Sequence, residues 1–251
     1  MWREWKIEWM KVQRRGIGLL VFLFWGVTAL WSTWVLHGVP KSQLEDGFRM
    51  MIFQLPLMDT ILMPTMLAMT ASRLCDMEVK GNTLKLLCTM EKKEHIFDIK
   101  LLTGVCYLTL FVVMQMGMMV VQGTLYGFAG PLQPRQFFFF FLQIYVVSVG
   151  ILLLQVILSF SFENQILPLA AGLFGSFMGL FSWFFPKGFL KKCILWSYYS
   201  DLCFMINDWD REAGTVTYYD APFDFLSLGI LLIIVAAGYL AGKKYFLRKE
   251  L

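Results

Sequence analysis

The chain has 251 residues, of which 58% are hydrophobic and only 16% charged, with a formal net charge of +4. An average soluble domain carries about a quarter charged residues, and the apolar residues here cluster in runs of about 20, the length of a membrane-crossing helix. That composition excludes an ordinary soluble domain and gives no reason to expect nucleic-acid binding. It points to an all-α membrane protein of six transmembrane helices forming a single domain.

In chain order, 1–15 reads as an interfacial amphipathic helix. Trp2, Trp5, Trp9 and Val12 share one helical face, and Arg3, Lys6 and Lys11 fall largely elsewhere. It is either a simple anchor or a helix that passes force into the first span. Acidic residues and three tryptophans make it unlike a cleavable signal peptide. The first span is expected over 17–36, with Trp31 and Trp34 near an interface.

The second span, 48–71, holds Pro56, Pro64 and one acid, Asp59. A carboxylate inside a span faces a cavity or a partner, and proline frees backbone carbonyls. Asp59 is therefore a substrate-path candidate, with a packing role between helices as the alternative. The third span, 101–126, carries Gln115 and Gln122 two turns apart with Gly117 and Gly123 nearby, a pattern for close helix contact. The fourth and fifth spans are expected at 137–160 and 166–185, the latter with Gly172, Gly175 and Gly179 at helical spacing. The sixth is 223–242.

Between the fifth and sixth spans, 186–222 is the longest polar connection. It concentrates aromatics (Trp196, Tyr198, Tyr199, Trp209, Tyr218, Tyr219) with acids (Asp201, Asp208, Asp210, Glu212, Asp220). Its stretch 189–206 is expected to form a membrane-surface helix. Acids with aromatics suit a cationic amphipathic ligand, which makes Trp196, Tyr199 and Trp209 further substrate-path candidates. An interfacial cap resting on lipid is the competing reading. Cys193 and Cys203 either pair in a disulfide, if this connection faces outward, or remain free thiols.

The densest charged stretch is 73–100, between the second and third spans. Its centre has a short helical pattern of Leu84, Leu87 and Cys88 after Gly81-Asn82, with Thr83 as a cap. Such an amphipathic turn on a charged loop suits docking to a soluble partner, and a solvated connection is the bland alternative. The two termini and this loop together carry fifteen of the Lys and Arg residues, against seven in the other connections. The positive-inside rule therefore places both termini and the 73–100 loop in the cytoplasm and 186–222 outside.

The sequence has no GxxxxGK[ST] loop, HExxH or GxSxG motif, and only two histidines. No ATPase, metal-enzyme or serine-hydrolase site is expected.

The topology and the stretch ASRLCDMEVKGNTLKLL at 71–87 resemble the type-2 permeases of ABC transporters. At this length the chain is most similar to the permeases of bacitracin and lantibiotic export and self-immunity systems. That resemblance implies the transmembrane subunit of an ATP-driven exporter of an antimicrobial peptide in the bacterial cytoplasmic membrane. Export of a lipid or small drug and a non-transporting scaffold or sensor are the alternatives. It implies no cofactor of its own, ATP and magnesium being bound by two copies of a cytoplasmic ABC ATPase, and a second permease subunit as partner. Carried onto this sequence, the ATPase-coupling positions are Glu78, Gly81, Thr83, Leu84, Lys85 and Leu87. Glu78 and Lys85 are expected to make charge contacts while Leu84 and Leu87 fill a groove. Met90-Glu91 stands where relatives often carry a proline after the coupling helix.

Overall fold

A computed structural model describes residues 2–13, 15–40, 44, 46–80, 92–131, 133–186, 188–211 and 215–248. The elements are α1 (Trp2–Gln13), α2 (Ile17–His37), α3 (Gly47–Lys80), α4 (Lys93–Tyr126), α5 (Pro134–Ser161), α6 (Ile166–Ser182), α7 (Phe189–Cys193), a 3₁₀ turn (Leu195–Ser197) and α8 (Tyr198–Asp201). They are followed by β1 (Met205–Asp210), β2 (Thr215–Asp220) and α9 (Phe225–Arg248).

The bundle is built around α3. It packs on α5 and α6 along one side and on α2 and α4 along the other, and α9 closes against α5 and α4. The α1 helix lies across the ends of α2 and α4, and the β1–β2 hairpin rests on the opposite end of α3. Among the described residues five helices are long and apolar enough to cross a membrane: α2, α3, α4, α5 and α9.

The α6 helix, expected as a span over 166–185, is 17 residues long, at the lower limit of about 17–25 for a crossing. It runs antiparallel to α3. At Gly172 an added Cβ would lie 2.7 Å from Ala68 Cβ and 3.1 Å from the Pro64 carbonyl, so only glycine permits this approach. Further along, the Ser176 hydroxyl donates to the Ile61 carbonyl at 2.9 Å. Just past the helix, the Trp183 ring meets Phe53 edge-on.

The expected packing role of the glutamines is met. Gln115 reaches α3, and Gln122 Nε2 donates to Ser32 and Thr33 of α2 at 2.8 and 2.9 Å. Chain direction reverses after α4 at Gly127, whose φ of 68° lies in the left-handed region and whose N–H caps the Gly123 carbonyl.

Two expectations are corrected. Residues 73–80 and 93–100 are not loop but extensions of α3 and α4 beyond the apolar runs. Helical hydrogen bonding continues there because burial and ion pairing, rather than lipid, support the polar side chains. The 189–206 stretch is not one surface helix. It breaks into α7, the 3₁₀ turn and α8, then becomes strand from Met205. Extended backbone at Ile194 interrupts the helix, and the Trp, Tyr and Thr content of 205–220 favours pairing as strands. The antiparallel register sets Ile206 against Tyr219 and Trp209 against Val216. Among the described residues Cys75, Cys106, Cys193 and Cys203 form no disulfide, with Cys203 buried and Cys193 exposed.

Candidate functional site

Two polar constellations stand out, one at the C-terminal end of α3 and one partway along it. The first gathers at the root of the 81–92 connection. Lys100, about two turns into α4 and just before its apolar run, is only 3% exposed. Its Nζ donates to Glu8 Oε1 of α1 at 2.6 Å and to the Leu74 carbonyl of α3 at 2.7 Å, and it lies 2.7 Å from Glu78 Oε1. Lys11 stands outside this group, 3.6 Å from Glu8 and 4.0 Å from Glu78. The helices that lead into and out of the polar connection are thus tied to each other and to α1 through one buried ammonium. A buried ion pair holds only when such hydrogen bonds saturate the charges, and here three acceptors surround one Lys. Beside it, Trp9 stacks on Tyr107 of α4, with ring centroids 5.6 Å apart.

Glu78 was expected to face an ATPase. It is 2% exposed and turned into the bundle toward Lys100. Glu8 and Lys100 carried no motif: an acid on an amphipathic helix and a lysine at a span end both read as solvated until the fold brings them together. Gly81, Thr83, Leu84, Lys85 and Leu87 lie outside the described residues.

The second constellation lies where the α7–α8 segment folds back into the bundle. Trp196 is half-buried and seats on the glycine stripe of α6. A Cβ at Gly175 would fall 2.0 Å from its indole, and one at Gly179 would meet both the Trp196 carbonyl and Thr60 of α3. Tyr199 is fully buried. Its hydroxyl is 2.7 Å from Ser148 Oγ, and its carbonyl accepts from Gln143 Nε2 at 2.7 Å. Burial pushes its phenol above the usual range against the pull of the Ser148 bond, and the Asp59 carboxylate nearby adds to the rise. Asp59 is likewise fully buried, with both oxygens accepting from Gln115 Nε2 at 3.0 and 2.9 Å. One residue on, Thr60 accepts a hydrogen bond from Trp183 Nε1. Asp201 is wholly enclosed, and among the described residues neither of its carboxylate oxygens has a hydrogen-bond partner.

Of the four substrate-path candidates, Asp59, Tyr199 and Trp196 therefore converge on α3 midway along the bundle. Trp209 does not join them. It is 62% exposed on β1, with the Arg211 guanidinium 5.8 Å from its ring. Sequence spacing could not reveal this convergence, because 140 residues separate Asp59 from Tyr199.

This arrangement defines a multi-pass membrane protein whose buried polar side chains join helices; among the described residues no cluster of three metal-ligating side chains occurs. A family profile described as ABC-2 family transporter protein matches residues 5–179, and the chain belongs to that family. It is the transmembrane permease component of an ABC transporter, from a family whose members are membrane subunits that work with a separate ABC ATPase subunit. No curated protein and no solved structure matches the chain.

Proposed function

We propose that the chain is one permease half of an ATP-driven exporter that expels an amphipathic antimicrobial peptide, lantibiotic-like or bacitracin-like, from a bacterial cytoplasmic membrane. Resistance or self-immunity would follow. The reading has α6 crossing as the fifth of six spans, both termini in the cytoplasm and the hairpin outside, in line with the distribution of Lys and Arg. Two ATPase copies would bind ATP and magnesium, and a second, different permease half would complete the path.

The observation that carries it is the ion-paired root of the 81–92 connection. A docking helix at 83–88 would sit on the ATPase, with Leu84 and Leu87 in its groove and Lys85 at the rim. Closure of the ATPase on ATP pushes that helix. Because Lys100 links α3, α4 and α1, the push reaches three elements as one unit instead of bending a loose loop. Glu78 then serves by anchoring the root rather than by touching the ATPase. Supporting the substrate class are the exposed Ile206 and Tyr219, cross-strand partners that share one face of the hairpin with Asp208, a surface of the kind that receives a cationic amphipathic peptide.

Co-purification in mild detergent tests the partner. Wild type should bring down an ABC ATPase and Leu84→Asp should lose it, while cells lacking the chain become more sensitive to the peptide. An ATPase retained by Leu84→Asp would sink the docking assignment. Absence of any ATPase with wild type would leave a scaffold or sensor. Unchanged peptide sensitivity with the ATPase present would redirect the substrate to a lipid or small drug.

A further inference from the structure

At the α1 end of the bundle an open groove of about 230 Å³ runs between α2 and α3, lined by Leu19, Leu23 and Phe24 on one wall and Met69 on the other. Gly16 and Arg73 form its mouth. The walls are what lipid-facing helices present anywhere. The mouth is different. Arg73 Nη1 donates to the carbonyls of Arg15 and Gly16 at 3.1 and 3.3 Å, and Arg15 Nη1 donates in return to the Arg73 carbonyl. These are backbone partners and carry no charge. Among the described residues neither guanidinium forms an ion pair with a carboxylate. Each guanidinium has five N–H donors, so most of the donors of both remain available. The Gly16 turn, with φ of 64°, fixes the two side chains across the α1–α2 junction.

Two adjacent cations with no counterion among the described residues, held by the fold at one spot, attract an anion. The depth of that spot says which kind. The α2 span begins at Ile17, and the span in α3 ends at Asp76, so Arg15 and Arg73 stand at headgroup level. An anion lodged there with an acyl chain running down the Leu19–Leu23 wall satisfies both halves of the site. The groove is smaller than the roughly 300–1,000 Å³ of a drug-sized pocket but open along its length, which suits a single chain. We propose that this is a binding site for an anionic phospholipid, its phosphate on Arg15 and Arg73 and one acyl chain in the α2–α3 groove. The bound lipid bridges the α1–α2 turn to α3. The site is independent of what the permease transports.

Native mass spectrometry of the full chain in detergent, with added phosphatidylglycerol or phosphatidylcholine of identical chains, tests it. A cation at headgroup level contributes about fivefold in affinity for an anionic lipid, so two predict a preference of roughly 25-fold. The double variant R15Q/R73Q should fall to near parity, and R15K/R73K should retain most of the preference. Leu23→Trp, which fills the groove and leaves the arginines, should cut phosphatidylglycerol retention severalfold. Glycerol phosphate, the headgroup without chains, should not displace the lipid. Equal retention of both lipids by wild type, or a preference unaltered in R15Q/R73Q, overturns the proposal. Displacement by glycerol phosphate at matched concentration reduces the site to a simple anion site and also overturns it. Should R15Q/R73Q fail to purify, Leu23→Trp decides: retention equal to wild type removes the groove from the binding site.

Discussion

Replacing Lys100 by methionine deletes the ammonium and keeps most of the side-chain volume. Two carboxylates, Glu8 at 5% and Glu78 at 2% exposure, are then left facing each other without the group that separates them. Removing one partner of a buried ion pair costs about 3–5 kcal/mol. Lys11 remains 3.6 and 4.0 Å from the two acids, but it is about one-third exposed, and a partly solvated pair returns about 1 kcal/mol at most. The expected net loss is about 2–4 kcal/mol, which lowers Tm by about 4–16 °C for a chain of this size. Thermal unfolding in detergent measures the loss. Maleimide labelling of Cys75, a fully buried thiol on α3 one residue after Leu74, reports whether the α1–α3–α4 junction has opened. The triple variant E8Q/E78Q/K100M removes every charge in the cluster's centre and should recover most of the loss. A Lys100→Met protein within 2 °C of wild type, with Cys75 labelling no faster, would refute the claim that this cluster holds the junction.

Other substitutions probe the opposite half of α3 and the start of α9. Asp59→Leu strands the Gln115 amide in the interior and should cost about 1–3 kcal/mol, while D59L/Q115L, which removes both partners, should be nearly neutral; a double variant no more stable than the single one would show that the pair is not the source. Asp224 caps α9, accepting from the Ser227 N–H at 3.0 Å and its hydroxyl at 2.7 Å, and Asp224→Ala should cost about 1 kcal/mol. Partial burial pushes the Asp224 carboxyl up, but the Ser227 bonds and Lys192 outweigh it and hold it below the usual range. The stabilisation is therefore complete above the unfolded carboxylate value of about 4 and disappears as pH falls through the depressed folded one. The Tm gap between wild type and Asp224→Ala should be constant from pH 7 to 5 and close below pH 4; a gap that persists at pH 2.5 would count against the cap.

Much of the candidate site was legible as a set of residue types but not as a set of neighbours. Asp59 stood out because an acid within an apolar run is expensive, and Gln115 stood out for a similar reason. Neither residue names the other, since helical periodicity gives a face and not the helix it meets. Glu78 was legible only as one charge among many. A side chain three residues before a glycine in a polar stretch reads as solvated, and nothing local signals that Glu8, seventy residues earlier, and Lys100 will close over it. Trp196 and Tyr199 read as interfacial aromatics. Their burial depends on α6 being short and glycine-lined, which leaves room for the α7–α8 segment to fold back against Thr60 and Gly179.

By itself the sequence determined that this is a multi-pass helical membrane protein. Transfer of apolar side chains and the need to satisfy backbone hydrogen bonds inside lipid are local properties of a 20-residue run. It likewise determined where the chain is polar, and through the charged stretch before the third span it pointed to the ABC-2 family. The tertiary structure decided which polar residues are exposed. It extended α3 and α4 into the charged stretch, turned 205–220 from expected helix and loop into a hairpin, and paired Lys100 with Glu8 and Glu78. These outcomes depend on contacts between residues far apart in the chain, whose energies appear only once the helices are in place.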